Sequence, residues 1–156
     1  MIDTPLIVRS TALRMACIHL TVPRTQIQTV MGPGIGEILG VLAAQGIAPS
    51  GPLFTNHRRQ PTDSFDFAIC IPIPTPVSPS GRVQNGELPA ATVARTVYRG
   101  GYDELGAAWG EFHAWIAAQG HTRRADLWEF YVQGPESGSD QSTWRTELNQ
   151  PLVTNT

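Results

Sequence analysis

Apolar residues in this chain change their spacing several times, and each change predicts an element. From 12 to 22 (ALRMACIHLTV) they are dense and branched, as in a strand. From 25 to 45 (TQIQTVMGPGIGEILGVLAAQ), Ile27, Val30, Ile35, Ile38, Leu39 and Leu42 recur at helical spacing. Pro33 should start or kink a segment of that helix, and Gly46 should end it. Two strand patterns follow at 51–58 (GPLFTNHR) and 64–72 (SFDFAICIP). Residues 73–89 are rich in Pro, Ser and Gly and read as a linker, with 75–90 as its limits between packed halves. After it the pattern restarts. ATVARTVYR (91–99) reads as a strand. In 102–120, Tyr102, Leu105, Trp109, Phe112 and Ile116 form one helical stripe, ended by Gly120. ADLWEFYVQ and STWRTELNQ are two more strands.

The restart is a repeat. AAQG at 43–46 recurs at 117–120, and at that offset Ile35 meets Trp109, Ile38 meets Phe112, and Leu42 meets Ile116. Phe54 then lies over Trp128 and Thr55 over Glu129. An insertion of three residues brings Phe67 over Trp144, Cys70 over Glu147, and Ile71 over Leu148. The reading is an α+β fold, a single domain over 1–156. Two β-α-β-β modules, 12–74 and 91–152, form a pseudo-two-fold pair of antiparallel sheet and helix, with a cleft where the modules meet.

Within LWEFYV (127–132), a carboxylate stands inside the most aromatic run of the chain. Leu127, Glu129 and Tyr131 share one strand face, and Trp128, Phe130 and Val132 share the other. Glu129 is either an ordinary surface acid on a solvated face or a carboxylate in a pocket. The other copy carries Thr55 in its place, so the fold unit does not need an acid there. Glu147 has the same status opposite Cys70, though Arg145 and Asn149 on its face also allow a plain ion pair. A carboxylate among aromatic rings has two uses. Charged, it attracts a desolvated organic cation whose flat body lies on the rings. Protonated, it is a general acid.

Composition narrows the function. Of 156 residues, 15% are charged and the net charge is −2, with no basic stripe to follow a nucleic acid backbone. All 11 basic residues are Arg, which excludes a lysine nucleophile or Schiff base. No apolar run approaches the roughly 18 residues of a membrane helix, and MIDTPLIVRS lacks the pattern of a signal peptide. Cys17 and Cys70 read as buried free thiols of a reducing, cytoplasmic compartment. The four histidines have no ligand spacing, so no metal is expected, and no cofactor motif is present. GPGIG (32–36) lacks the third glycine of a dinucleotide loop and any following Lys; it reads as a kinked helix entry.

The segment YRGGYDELGAAWGEFHAWIAAQG resembles a family pattern in which a Gly-rich turn, a Tyr and an acid open an amphipathic helix. LWEFY followed by TELNQPL resembles that family's closing strands, and FDFAICIPI its middle strand. The chain is similar, over about 12–152, to the GyrI-like small-molecule-binding domains, which also serve as effector-binding domains of AraC-type and MerR-type multidrug regulators. The resemblance implies a tandem β-α-β-β fold around a cleft that binds lipophilic, flat, often cationic compounds, with a cleft acid as counter-ion. The resemblance places that acid at Glu129, with Glu147 second, and the full candidate ligand-binding set is Glu129, Glu147, Tyr131, Tyr98, Tyr102, Trp109 and Thr55. Tyr98 stands where many members carry His. Some stand-alone members hydrolyse cyclopropane-containing alkylating compounds. For that alternative, the catalytic set is Glu129 and Glu147 as an acid–base pair with Tyr131 as donor. The regulators' helix-turn-helix domain has no room here, so the expectation is a stand-alone binder of aromatic cations, with no nucleic acid or membrane partner and with a homodimer left open.

Overall fold

The computed structural model describes residues 2–59, 62–134 and 138–154. It is α+β, with antiparallel strand pairing and two α-helices among the described residues. The chain divides into two units, residues 11–90 and residues 1–10 with 91–156.

In the 11–90 unit, β2 (Leu13–Pro23) leads through a 3-10 turn at Arg24–Gln26 into α1 (Ile27–Ala44), then β3 (Phe54–His57), β4 (Ser64–Pro72) and β5 (Gln84–Leu88). The ladder order is β3-β4-β2-β5. Ile38 and Leu42 of α1 pack on Ala16, Ile18, Phe67, Ile69 and Ile71, which form the helix-facing side of the sheet. Leu39, read as part of the apolar stripe, is exposed. Pro33 does not start α1, which begins at Ile27 and continues past the proline to Ala44. Its ring lies on the exposed side, where the lost backbone bond leaves a carbonyl open to water. Gly34 gives GPGIG a packing role. A Cβ there would lie 2.5 Å from Ile69 Cδ1, so the glycine sets how closely helix and sheet approach.

The expected linker holds structure that its composition hides. Ile73, Val77 and Val83 are buried in the α1 core, and Gln84–Leu88 pairs with β2. The Asn85 side chain accepts from Val77 N–H at 2.9 Å and donates to Val77 O at 2.6 Å. A side-chain amide thus replaces a ladder partner that the proline-rich chain cannot supply.

The second unit contains β1 (Leu6–Arg9), β6 (Thr92–Arg99), a 3-10 turn at Tyr102–Glu104, α2 (Leu105–Ala118), β7 (Leu127–Gln133) and β8 (Arg145–Pro151). Its ladder order is β1-β6-β8-β7. Ala108, Phe112 and Ile116 of α2 pack on Ala94, Tyr98, Leu148 and Leu152. The recurring AAQG is a helix stop used twice. Gly46 and Gly120 take φ of 68° and 79°. Ile47 N–H reaches Leu42 O and Gly46 N–H reaches Ala43 O; His121 and Gly120 repeat this on Ile116 and Ala117. This is the Schellman arrangement, open only to a residue that tolerates the left-handed region.

Helix α2 is also pinned by a polar chain. Arg123 Nη1 donates to His113 Nδ1 at 2.9 Å. The imidazole Nε2 therefore carries the proton and donates to Gln150 Oε1 at 3.1 Å. Gln150 is fully buried and its amide nitrogen donates to the carbonyls of Arg124, Asp126 and Pro151. Burial, then the Arg123 charge, holds His113 below the ordinary histidine pKa.

Two outcomes follow from these contacts. Gly34→Leu should lower unfolding free energy by about 1–3 kcal/mol, the usual cost of overpacking, measured by urea denaturation; unchanged stability would show that Ile69 yields freely. The folded state takes up a proton at His113 less readily than the unfolded chain, so stability falls as pH drops through about 6.5. His113→Gln should lose less stability than the wild type between neutral and mildly acidic pH, and an identical loss in both would remove His113 as the cause.

Candidate functional site

The site is built on the helix-facing side of the β6-β8-β7 ladder. Glu129 pairs in register with Leu148, and Leu148 belongs to the α2 core. Residues opposite one another across a ladder share a face, so Glu129 and Tyr131 project towards α2. Trp128 and Val132 project away, and Val132 is 54% exposed. The acid is therefore no solvent-facing residue: Glu129 is 6% exposed. A carboxylate so buried needs donors, because its desolvation is otherwise expensive. Trp109 Nε1, from α2, donates to Glu129 Oε2 at 2.8 Å. Tyr131 OH donates to Oε1 at 3.1 Å. The indole and the phenol thus fix the carboxylate plane between helix and strand.

Further rings extend this pair. Tyr102 meets Tyr131 edge to face, with centroids 5.9 Å apart, and lies against Trp144 at 5.1 Å. Trp109 also meets Phe112 and His113 at 5.7 and 5.3 Å. Trp144 is anchored by its own Nε1, which donates to Gly138 O at 3.0 Å. Tyr102 is delivered by the Gly100-Gly101 turn, in which Gly100 takes a φ of 137°. Tyr98 OH donates to Gly101 O at 2.8 Å and holds that turn. Tyr98 itself is 3% exposed and packs in the α2 core. Burial, with Glu104 and Asp103 nearby, raises its pKa, so it stays a neutral donor.

The structure thus brings together Glu129, Tyr131, Trp109 and Tyr102. It places Tyr98 behind them as a support for the turn. It does not bring Glu147 to Glu129. Glu147 pairs in register with Phe130 and Val97, on the opposite face of the sheet. There it meets Arg95 Nε at 3.3 Å and accepts from Asn149 Nδ2 at 3.1 Å. The acid–base pair of the hydrolase alternative needs both carboxylates on one substrate, and sheet parity separates them. Thr55 lies on β3 of the other unit, buried, with its hydroxyl 3.2 Å from His57 Nε2. Among the described residues no group of His, Cys, Asp and Glu could hold a metal ion.

Sequence reasoning missed two residues of this face. Trp144 read only as a strand residue, although a Trp preceding TEL opposite LWEFY invites a ring contact. Thr146 pairs in register with both Tyr131 and Tyr98. It is fully buried, and its Oγ1 has no hydrogen-bond partner. Nothing in the sequence marks it. Among the described residues, no helix is long and apolar enough to cross a membrane.

Solved structures share the fold. The chain is similar to the C-terminal domain of EcmrR, with a TM-score of 0.86 and 20% identity, covering 97% of this chain and 98% of that one. Against EcmrR in the EcmrR–DNA complex the TM-score is 0.85 at 20% identity, covering 97% of this chain and 58% of the length of EcmrR. SAV2435, solved bound to tetraphenylphosphonium, matches with a TM-score of 0.69 and 15% identity, covering 97% of this chain and 94% of that one. No curated protein matches. The GyrI-like small molecule binding domain matches residues 4–153, nearly the whole chain, and the chain belongs to that family.

Proposed function

We propose that this protein binds lipophilic, flat aromatic cations, with Glu129 as the counter-ion. One observation carries the reading. Glu129 is a buried carboxylate gripped by an indole N–H and a phenol O–H, within a run of aromatic rings. Such a group attracts a desolvated positive charge, and the rings offer π-faces to the body that carries it. The two donors hold the carboxylate in place before any ligand arrives, so little ordering cost falls on binding. Family membership supports small-molecule binding, and the tetraphenylphosphonium on SAV2435 supports the chemical class. Hydrolysis by a Glu129–Glu147 pair gains no such support, because Glu147 is engaged by Arg95 on the far face.

The test is a tryptophan-fluorescence titration with tetraphenylphosphonium and with tetraphenylborate, an anion of the same shape. Glu129→Gln keeps the size of the side chain. Its carbonyl can still accept from Trp109, and its amide can donate to the Tyr131 oxygen, so the fold should persist. Affinity for the phosphonium should fall roughly 5- to 150-fold, as for loss of about 1–3 kcal/mol from a charged partner. Affinity for the borate should not fall. Equal phosphonium affinity in wild type and variant would remove Glu129 as the counter-ion.

A further inference from the structure

The two cysteines sit in a relation that the sequence does not reveal. Cys17 of β2 and Cys70 of β4 are register partners, directly opposite across an antiparallel ladder. The ladder alternates between hydrogen-bonded and non-hydrogen-bonded pairs. Its phase is set at both ends: Ile73 N–H donates to Arg14 O at 3.1 Å, and Arg24 N–H to Asp63 O at 2.8 Å. Both belong to the register of this ladder, so the hydrogen-bonded pairs fall on the even-numbered residues of β2. Cys17 and Cys70 are therefore a non-hydrogen-bonded pair, the kind in which opposed Cα atoms approach to about 4.5 Å and side chains come closest. That is within the span a disulfide bridges. Both side chains lie on the sheet face away from α1, since Ala16, Ile18, Ile69 and Ile71 take the helix side.

Both thiols are free in this structure. The Cys17 sulfur lies over Gly86 of β5, where a Cβ would come within 3.0 Å of it. The Cys70 thiol points to Ala68 O at 3.6 Å. Because β2 lies between β5 and β4, a χ1 change at Cys17 swings its sulfur from one neighbour strand to the other. Such a step moves between ordinary staggered wells.

We propose that Cys17 and Cys70 are a redox modification site, closing a reversible cross-strand disulfide when a peroxide is present. Cys17 is part-exposed and reacts first. Its thiolate sulfur attacks one peroxide oxygen and the O–O bond breaks, giving a sulfenic acid and hydroxide, which takes the thiol proton as water. The buried Cys70 sulfur then attacks the Cys17 sulfur. The S–S bond forms as the S–O bond breaks, and the hydroxyl leaves with the Cys70 proton as a second water. The two sulfurs together lose two electrons, and the peroxide gains them. Burial raises the pKa of both thiols, and for Cys70 the neighbouring Cys17 adds to the rise. Thiolate is then scarce, so the pair stays reduced at low peroxide and closes slowly when peroxide accumulates.

The experiment treats the whole chain with hydrogen peroxide, blocks remaining thiols under denaturing conditions, and maps peptides by mass spectrometry without reduction. The wild type should yield a Cys17–Cys70 linked peptide, lose two hydrogens from its intact mass, stay at the mass of one chain, and regain both thiols with dithiothreitol. In Cys17→Ala, the buried Cys70 should remain a free thiol under the same treatment. In Cys70→Ala, Cys17 should stop at the sulfenic acid, captured by dimedone. Wild-type chains that carry added oxygen, or link between molecules, without the internal linked peptide would overturn the proposal.

Discussion

The proposed binding function depends on one buried carboxylate, Glu129, and on the two hydrogen bonds that hold it. A carboxylate in an apolar setting would ordinarily take up a proton or move to water. Here it is tied to a helix by an indole and to its own strand by a phenol. Those bonds make Glu129 part of the packing between α2 and β7, not an intruder in it. They also fix where the carboxylate lies. The neighbouring structure serves that placement. The Schellman stop sets the end of α2, and the His113–Gln150 chain ties α2 to β8. The Tyr98-bound glycine turn brings Tyr102 to the ring group.

The parity of the sheet puts the two acids on opposite faces. Glu129 and Glu147 lie on adjacent strands, one register step apart. A step of one residue reverses the face of a side chain. Glu147 therefore finds Arg95 and a partly exposed surface, where an ion pair contributes little. Alternation within LWEFYV was legible in the sequence, because it depends only on strand geometry. The register between β7 and β8 was not, because it is set by pairing across a loop that contains a 3-10 turn at Gln141–Thr143.

The same distinction governs how much of the fold was legible. The two helices, their glycine stops and the long strands β2, β4 and β6 carry their own periodicity, so their positions follow from local pattern. β1 and β5 do not. Each is short, lies at the end of its ladder, and has mostly exposed side chains. QNGEL has no apolar alternation and becomes a strand because β2 offers it a partner. Pro33 misled in the other direction. A proline on the exposed side of a helix breaks one bond without stopping the helix when Ile38 and Leu42 beyond it are held by a core. At the site, Trp109 was visible as part of a stripe, but its bond to Glu129 joins two elements that no local pattern connects.

The placement of β1 has a consequence for the order in which the chain can assemble. Residues 11–90 form a continuous stretch and hold all the strands of their own ladder. The first ten residues belong instead with 91–156. Arg9 meets Thr92, 83 positions further along the chain. On a ribosome, β1 therefore emerges before β6 and must wait unpaired while a whole unit is made, since its partner lies beyond that unit. Leu6, Ile7 and Val8 are its apolar residues; Leu6 and Ile7 remain exposed even after pairing, and Val8 is half-buried. The strand is only four residues long. Its brevity limits the edge it offers to other chains during that wait.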